Sequence, residues 1–289
     1  MSSLETRRPP VITIATVLSA LVVSSALYVS MQGSTGSESL LVYAPPALYS
    51  LVLEYAELHG EIYGVKVYIS TGSTGSLLGR IEITRSGDVL FTADHIFMER
   101  AISRGLVDED AVRVVSYLVP AIVVRRGNPH NITGIRDLAA KPLRVGIADP
   151  ENAPFGRIAL ELLKRAGVYD SVRDRLVVYS DVGQVARQLV LGLVDAAILP
   201  YTVKYWYPSE VDVVWLRAEE VRGFVTCQLA AVVVYTASRE RARLFIESFI
   251  AWLRENASKR GYVVDPEDFR YLTPYNPLDL DLPEVCLSR

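Results

Sequence analysis

Four short loops in this 289-residue chain combine small, hydroxyl-bearing and proline residues, and each follows an apolar strand and opens a helix. They are residues 44–47 (Ala-Pro-Pro-Ala), 72–75 (Gly-Ser-Thr-Gly), 153–156 (Ala-Pro-Phe-Gly) and 181–183 (Asp-Val-Gly). The first N–H groups of a helix have no intrahelical acceptor, and the helix dipole adds partial positive charge there. Each loop alone is typical of an ordinary helix start, but the four together predict an anion-binding site.

The donors that these loops offer carry no formal charge, because they are backbone N–H groups and the hydroxyls of Ser73 and Thr74. Hydrogen bonds from neutral donors to an anion are short and are strengthened by its charge. A lining of donors alone suits a fully deprotonated oxyanion such as molybdate, tungstate or sulfate, since hydrogen phosphate also needs an acceptor for its proton. Asp181 is the nearest candidate acceptor, and it is equally suited to be a helix cap.

From residue 40 the chain alternates short apolar strands with amphipathic helices, which predicts an α/β fold with mostly parallel sheets. A β-rich run at 117–126 contains Pro120, which indicates either an edge strand or a passage between two lobes. Ligands of open α/β sheets bind beyond the carboxyl ends of strands, so the four loops should face one another across a cleft. The predicted ranges are 40–119 for the first part of lobe 1, 120–222 for lobe 2, and 223–289 for a return to lobe 1 with a C-terminal helix and a surface tail.

The N-terminal residues indicate attachment to a membrane. Arg7 and Arg8 precede an uncharged apolar stretch at 11–31, and a helix of ~20 residues spans the ~30 Å hydrocarbon core of a bilayer. The preceding positive charge predicts that residues 1–10 are cytoplasmic and that the body lies on the extracellular face. We expect an uncleaved signal-anchor, with a cleaved signal peptide as the alternative, followed by a Gly/Ser-rich linker at 32–39.

Composition limits the remaining possibilities. The formal net charge of −3 and the absence of a basic cluster argue against nucleic-acid binding. Cys227 and Cys286 form no metal-ligand pattern, and both a disulfide that ties the tail to the body and two unpaired buried thiols remain open. Glycosylation patterns begin at Asn131 and Asn256, and their occupancy also remains open.

Five segments carry a resemblance to a known family, and they lie at 42–44, 72–82, 87–94, 146–156 and 181–185. They resemble the molybdate/tungstate-binding proteins of ABC transporters, a branch of the two-lobed, type II periplasmic-binding-protein fold. The Asp-Pro-Glu-x-x-Pro-x-Gly motif at 149–156 is the most specific of them. The resemblance covers about residues 40–253. It implies an archaeal-type, membrane-anchored monomer without a cofactor, which captures molybdate or tungstate and delivers it to an ABC permease.

The resemblance also implies which residues contact the anion. Family members use two lobe-one hydroxyls, backbone N–H groups from the Pro-x-Gly and Asp-Val loops, and often a tyrosine. The corresponding ligand-binding residues here are Ala47, Ser73, Thr74, Phe155, Val182 and Tyr201. Ala47 replaces a serine and offers only its N–H, while the tyrosine position itself is Pro200, one residue before Tyr201. These two departures leave the choice between molybdate, tungstate and another oxyanion open.

Two other functions are weighed against oxyanion transport. An enzyme is not expected, because none of the three histidines lies in a cleft loop or pairs with a nucleophile motif. Another anion, or a ferric ion, is the alternative ligand on the same fold. Tyr201, Tyr205 and Tyr207 are close in sequence and suit a ferric ion, although they equally fit an aromatic surface loop.

Overall fold

The computed structural model describes residues 39–287. The predicted cytoplasmic segment at 1–10, the signal-anchor at 11–31 and all but the last residue of the linker at 32–39 therefore lie outside the described residues. Within 39–287, no helix combines the length and the hydrophobicity needed to cross a bilayer. The described chain contains two five-stranded sheets flanked by helices.

Ten strands build the two sheets. In chain order they are β1 Ser39–Ala44, β2 Lys66–Thr71, β3 Val89–Thr92, β4 Arg113–Leu118, β5 Pro120–Arg125, β6 Val145–Ala148, β7 Leu176–Tyr179, β8 Ala196–Pro200, β9 Val211–Val214 and β10 Thr226–Val232. The first sheet has the order β2-β1-β3-β10-β4, and the second has the order β7-β6-β8-β5-β9. We call residues 39–118 and 226–260 lobe 1, residues 120–221 lobe 2, and residues 261–287 the tail.

Strand direction confirms the predicted two-lobed α/β fold with mostly parallel sheets. In each sheet four strands run in one direction, and a single strand, β10 or β5, pairs antiparallel with both of its neighbours. Each reversed strand is the first one that the chain forms after crossing from the other sheet. Pro120 is the first residue of β5, and β5 lies inside its sheet, so this proline marks a passage and not an edge.

Helices flank the sheets, and four of them begin at the four predicted loops. In chain order the helices are α1 Pro46–Tyr63, α2 Thr74–Thr84, α3 His95–Ser103, α4 Asp137–Ala140, α5 Pro154–Arg165, α6 Tyr169–Val172, α7 Val182–Val190, α8 Val203–Trp206, α9 Ala218–Val221, α10 Arg239–Arg260 and α11 Phe269–Leu272. The four that begin at the predicted loops are α1, α2, α5 and α7. The helix α5 illustrates the sequence logic, since Phe155, Ile158 and Leu162 recur on one buried face. The helix α1 ends at Tyr63, because the chain turns at Gly64, which has φ +69°.

The tail, predicted as a surface segment, is buried in part and exposed elsewhere, as at Tyr271 and Leu278. Val263 is fully buried, and its carbonyl accepts a 2.7 Å hydrogen bond from the N–H of Tyr117, at the end of β4. The Tyr117 hydroxyl in turn donates to the Cys286 carbonyl at 2.6 Å. The tail therefore packs against the passage between the lobes.

Cys227 and Cys286 form a disulfide, with their Cα atoms 5.7 Å apart, and this decides between the two alternatives that the sequence left open. The bond links β10 to the last turn of the tail across 59 residues. Closing a loop of that length stabilises the fold by about 4 kcal/mol in the chain-entropy model. We expect reduction, or Cys286→Ser, to lower the free energy of unfolding by about 2–4 kcal/mol in urea titrations. Equal urea midpoints with and without reductant would show that the bond adds no stability.

His59 is buried in an aromatic cluster between α1 and α10, and its side chain is 1% exposed. Its ring centre lies 4.9 Å from that of Phe245. Burial holds the pKa of His59 below its usual value, so the unfolded chain binds a proton there more readily than the folded chain. We therefore expect stability to fall as the pH drops below about 6.5. Denaturant unfolding at pH 7.5, 6.5 and 5.5 should show a shallower pH slope for His59→Phe, and identical slopes would refute this assignment.

Candidate functional site

A small cavity lies where the four predicted loops meet, between lobe 1 and lobe 2. Its lining residues come from the starts of α1, α2, α5 and α7 together with one residue after β3: Pro45, Pro46, Ala47, Ser73, Thr74, Ala93, Ala153, Pro154, Phe155, Asp181 and Val182. The centre of a water-sized sphere can occupy about 20 Å³ of this cavity. A single water needs about 10–15 Å³ on this measure, so the cavity suits a compact ligand and excludes a bulky organic molecule.

Five of the six predicted site residues line this cavity, and they are Ala47, Ser73, Thr74, Phe155 and Val182. All five are less than a tenth exposed. Thr74 and Val182 are the first residues of their helices, and Ala47 and Phe155 are the second residues of theirs. N–H groups at these positions have no acceptor within their own helix. The lining therefore gathers four sets of helix-start donors around one small space.

The way each helix is capped keeps these N–H groups available. Proline is the first residue of α1 and of α5, which removes one donor and leaves the next N–H group as the first of its helix. Asp181 caps α7 by accepting a 2.9 Å hydrogen bond from the N–H of Gln184, the third helical residue, and so leaves the N–H of Val182 uncapped. The Ser73 side chain does not cap α2, because its hydroxyl pairs with that of Ser76 at 2.7 Å.

The hydroxyl of Thr74 is oriented by its neighbours. The N–H of Ala93 donates to Thr74 Oγ1 at 3.3 Å, so this oxygen already acts as an acceptor within lobe 1. Its hydroxyl proton remains available for a ligand in the cavity. Ala93 follows β3 and lines the cavity itself; the sequence pointed to it only as part of the segment at 87–94.

Asp181 supplies the single carboxylate among the residues that line the cavity, and both of its oxygens already accept hydrogen bonds. The Oδ1 atom accepts from the N–H of Gln184, and Oδ2 accepts from the hydroxyl of Ser180 at 2.9 Å. Of the two roles that the sequence allowed, this geometry favours the helix cap. Apart from this carboxylate, the groups that the lining offers to a ligand are neutral donors.

Tyr201 is the predicted site residue that does not line the cavity, so its assignment is corrected. Its side chain is 1% exposed, and its hydroxyl accepts a 3.2 Å hydrogen bond from the N–H of Val263 in the tail. Its own N–H donates to the carbonyl of Val119, between β4 and β5. Burial raises the pKa of the Tyr201 hydroxyl well above its usual value. These contacts hold the ring at the passage between the lobes.

The tyrosine group suggested for a ferric ion is also divided. Tyr205 and Tyr207 line a wider groove beside the cavity, whereas Tyr201 is not part of that lining. Among residues 39–287, no three histidine, cysteine, aspartate or glutamate side chains form a group that could hold a metal ion. The three tyrosines therefore do not line one common space.

Two polar contacts join the lobes beside the cavity, and the sequence predicted neither of them. The N–H of Gly75 donates to the carbonyl of Asn152 at 2.9 Å, and a Cβ at Gly75 would lie 2.9–3.0 Å from atoms of Asn152. Arg157 Nη2 donates to Asp94 Oδ2 at 3.1 Å, and the Asp94 side chain is fully buried. Burial raises the pKa of Asp94, while its hydrogen bond from the N–H of Phe97 and the charge of Arg157 oppose that rise. The lobes are thus in contact around a closed cavity.

The fold and this cavity agree with a comparison against known families. The model of the family described as "Bacterial extracellular solute-binding protein" matches residues 40–251. The chain belongs to this family. The description of the family names solute binding.

Two named proteins are similar to this chain in sequence. A putative ABC transporter substrate-binding lipoprotein, YvgL of Bacillus subtilis, is 25% identical over 226 residues, which cover 75% of this chain and 84% of YvgL. The molybdate-binding protein ModA of Rhodobacter capsulatus is 24% identical over 150 residues, which cover 52% of this chain and 59% of ModA. The chain is thus similar to a molybdate-binding protein over about half of its length.

Solved structures show the same architecture. The periplasmic molybdate-binding protein of Azotobacter vinelandii has a TM-score of 0.66 at 20% identity, with 78% of this chain and 99% of that chain covered. The sulfate-binding protein SubI of Mycobacterium tuberculosis has a TM-score of 0.70 at 18% identity, with 84% of this chain and 96% of that chain covered. At these identities the likeness shows the shared two-lobed fold and does not distinguish between the two ligands.

Proposed function

We propose that this chain is the extracellular solute-binding protein of an ABC transporter and that it captures molybdate or tungstate between its two lobes. The observation that carries the proposal is the meeting of four helix N-termini and the Thr74 hydroxyl in one closed cavity. Such a lining consists of donors directed at an anion. The names of the ModA relatives support a metal oxyanion as the ligand. The chain then delivers the anion to its permease and needs no cofactor.

The N-terminal residues complete the proposal. The apolar stretch at 11–31 attaches a monomeric body to the outer face of the membrane, where the permease opens. A tethered binding protein stays close to its permease, which raises the effective concentration of the loaded form. Immunoblotting of membrane and medium fractions tests this point, since an attached chain stays with membranes that have been washed in high salt.

Sulfate is the second candidate ligand, because it shares the tetrahedral shape and the full deprotonation that this lining accepts. The fold likeness to SubI supports it, and Ala47 lacks the hydroxyl that the molybdate family places in the first loop. Hydrogen phosphate would have to donate its proton to Asp181, the single carboxylate of the cavity lining, whose two oxygens already accept one hydrogen bond each.

Isothermal titration calorimetry on the full chain in detergent, with tungstate, molybdate, sulfate and phosphate at pH 7.5, tests the proposal. We expect a Kd below about 1 μM, or −8 kcal/mol, for tungstate or molybdate and no heat from sulfate or phosphate. If only sulfate bound, we would conclude that sulfate is the ligand. No heat from any of the four anions would refute oxyanion binding.

A matched pair of variants locates the site. Thr74→Val removes the cavity hydroxyl and should weaken binding about 10–100-fold, because a hydrogen bond to a charged group contributes about 1.5–3 kcal/mol. Thr84→Val changes the last residue of the same helix, where the hydroxyl donates only to the carbonyl of Arg80, and should leave the Kd unchanged. Equal Kd values for the two variants would place the anion elsewhere.

A further inference from the structure

A second and larger groove lies between the lobes, next to the closed cavity. The centre of a water-sized sphere can occupy about 700 Å³ of this groove, compared with about 20 Å³ of the cavity. Pro46 and Asp181 line both spaces, so the groove and the cavity share a wall. Because the groove is open to solvent and adjoins the cavity, a ligand that approaches the cavity from this side passes through it.

Arg187 places a positive charge in this groove, which the carboxylate of Asp181 also lines without forming an ion pair with it. The residue is exposed and lies on the second turn of α7, and its guanidinium bends back toward the helix start. The Nη1 atom lies 3.7 Å from the position that a Cβ would take at Gly183, the residue after the cavity-lining Val182. Within residues 39–287 the Arg187 side chain forms no ion pair or hydrogen bond.

The other arginine of the groove is in a different state. Arg260 forms an ion pair with Glu54 of α1, and its guanidinium also lies over the ring of Trp252, 5.4 Å from the ring centre. Its charge is therefore compensated within lobe 1. Arg187 is the groove cation that remains available to an approaching anion.

The charge distribution indicates that Arg187 attracts the anion toward the cavity. The chain carries a net charge of −3, and the cavity itself contains neutral donors and the carboxylate of Asp181. Helix-start dipoles act over about one turn, so they hold an anion that has arrived but attract a distant one weakly. A cation at the entrance would therefore raise the rate at which this chain captures a dianion.

We propose that the groove is an outer encounter site for the same oxyanion, in which the Arg187 guanidinium holds the anion before the lobes close. A planar guanidinium donates two parallel N–H groups to two oxygens of a tetrahedral anion. The hydroxyls of Tyr49, Ser50 and Thr71 on the facing wall belong to lobe 1, so they supply further donors as the lobes approach. The anion then moves from this charged, solvated site to the neutral, buried amides. This inference rests on the proposed function.

Association kinetics test it. Trp206 lines the groove, so stopped-flow tryptophan fluorescence of the full chain follows binding of tungstate, or of whichever anion calorimetry identifies. At low salt, Arg187→Gln should lower the association rate constant about 10-fold and leave the dissociation rate constant within about twofold. In 1 M salt, where the Debye length is about 3 Å, the difference should shrink to less than about twofold. Arg187→Lys should restore most of the low-salt rate.

Arg173→Gln is the matched control, since it removes the same charge from lobe 2 at an exposed residue paired with Asp170 and Asp174, outside the groove lining. It should leave both rate constants unchanged. An equal loss of association rate in both variants would show that only the net charge matters. A loss in Arg187→Gln that does not depend on salt would indicate a structural role. Either result overturns the proposal, as does an unchanged association rate in Arg187→Gln. A wild-type chain that binds no anion would instead refute the proposed function.

Discussion

Replacing Gly156 with alanine should weaken anion binding on the order of 100-fold. An alanine Cβ at this position would lie 2.3 Å from the carbonyl oxygen of Ala148 and 2.5 Å from that of Asp149, both backbone atoms at the end of β6. Neither can move without disturbing the strand, so the start of α5 must shift and carry the N–H of Phe155 with it. Losing one to two hydrogen bonds to a charged ligand, at about 1.5–3 kcal/mol each, weakens binding on the order of 100-fold.

Gly79→Ala is the matched control for this substitution. Gly79 lies inside α2, and a Cβ there would meet no atom within 4 Å. Alanine is the better helix former by about 0.5–1 kcal/mol, so this variant should be slightly more stable and should bind with an unchanged Kd. Calorimetry and thermal unfolding measured on both variants separate loss of binding from loss of folding. If folded Gly156→Ala bound within about twofold of wild type, the start of α5 would not be part of the site.

The cavity was predictable from sequence to the extent that its parts are local. The loops that contain Phe155 and Val182 are recognisable because a strand, a tight loop and an amphipathic helix follow one another within about ten residues. The choice of these two residues as donors came from the family resemblance. The meeting of loops from both lobes followed from the general position of ligand sites in α/β sheets. These inferences need no knowledge of side-chain contacts between distant segments.

Tyr201 shows where that reasoning fails. The family position is Pro200, the last residue of β8, and Tyr201 is the next residue. Side chains alternate between the two faces of a strand, so a displacement of one residue directs the side chain to the opposite side. Tyr201 accordingly packs at the passage between the lobes, with its ring centre 5.5 Å from that of Trp215. A loop shift that rescued the tyrosine would have required breaking the main-chain bond of Tyr201 to Val119.

Contacts between distant residues were beyond the sequence for a different reason. Asp94 and Arg157 are 63 residues apart, and their meeting depends on how far the lobes close. The disulfide between Cys227 and Cys286 likewise depends on the path of a tail that has no regular periodicity. Local patterns fix which element a residue belongs to, whereas the approach of two lobes is set by the sum of many weak contacts across the cleft. Such contacts are nevertheless where the affinity of a closing protein is adjusted.

The pair formed by Asp94 and Arg157 should therefore control closure, and Arg157→Gln should weaken anion binding about 10–100-fold. Asp94 is fully buried, while Arg157 is 24% exposed. Removing one partner of a buried ion pair costs about 3–5 kcal/mol, and the partial exposure of Arg157 reduces this to about 1.5–3 kcal/mol. The cost falls on the closed form, in which Asp94 has lost both its partner and access to water, so the open form gains population at the expense of the form that binds.

The pH dependence of this loss distinguishes closure from a direct effect on the ligand. Arg157 lowers the pKa of Asp94, so its removal raises that pKa further in the closed form than in the open form. Closing the variant then takes up a proton, and its binding should recover relative to wild type as the pH falls from 7.5 to 5.5. Glu161→Gln removes the other carboxylate within reach of Arg157, at 3.4 Å, but leaves the contact with Asp94. That control should bind the anion within about twofold of wild type at both pH values. A similar loss of affinity in both variants, or a loss in Arg157→Gln that does not depend on pH, would show that the buried pair does not govern closure.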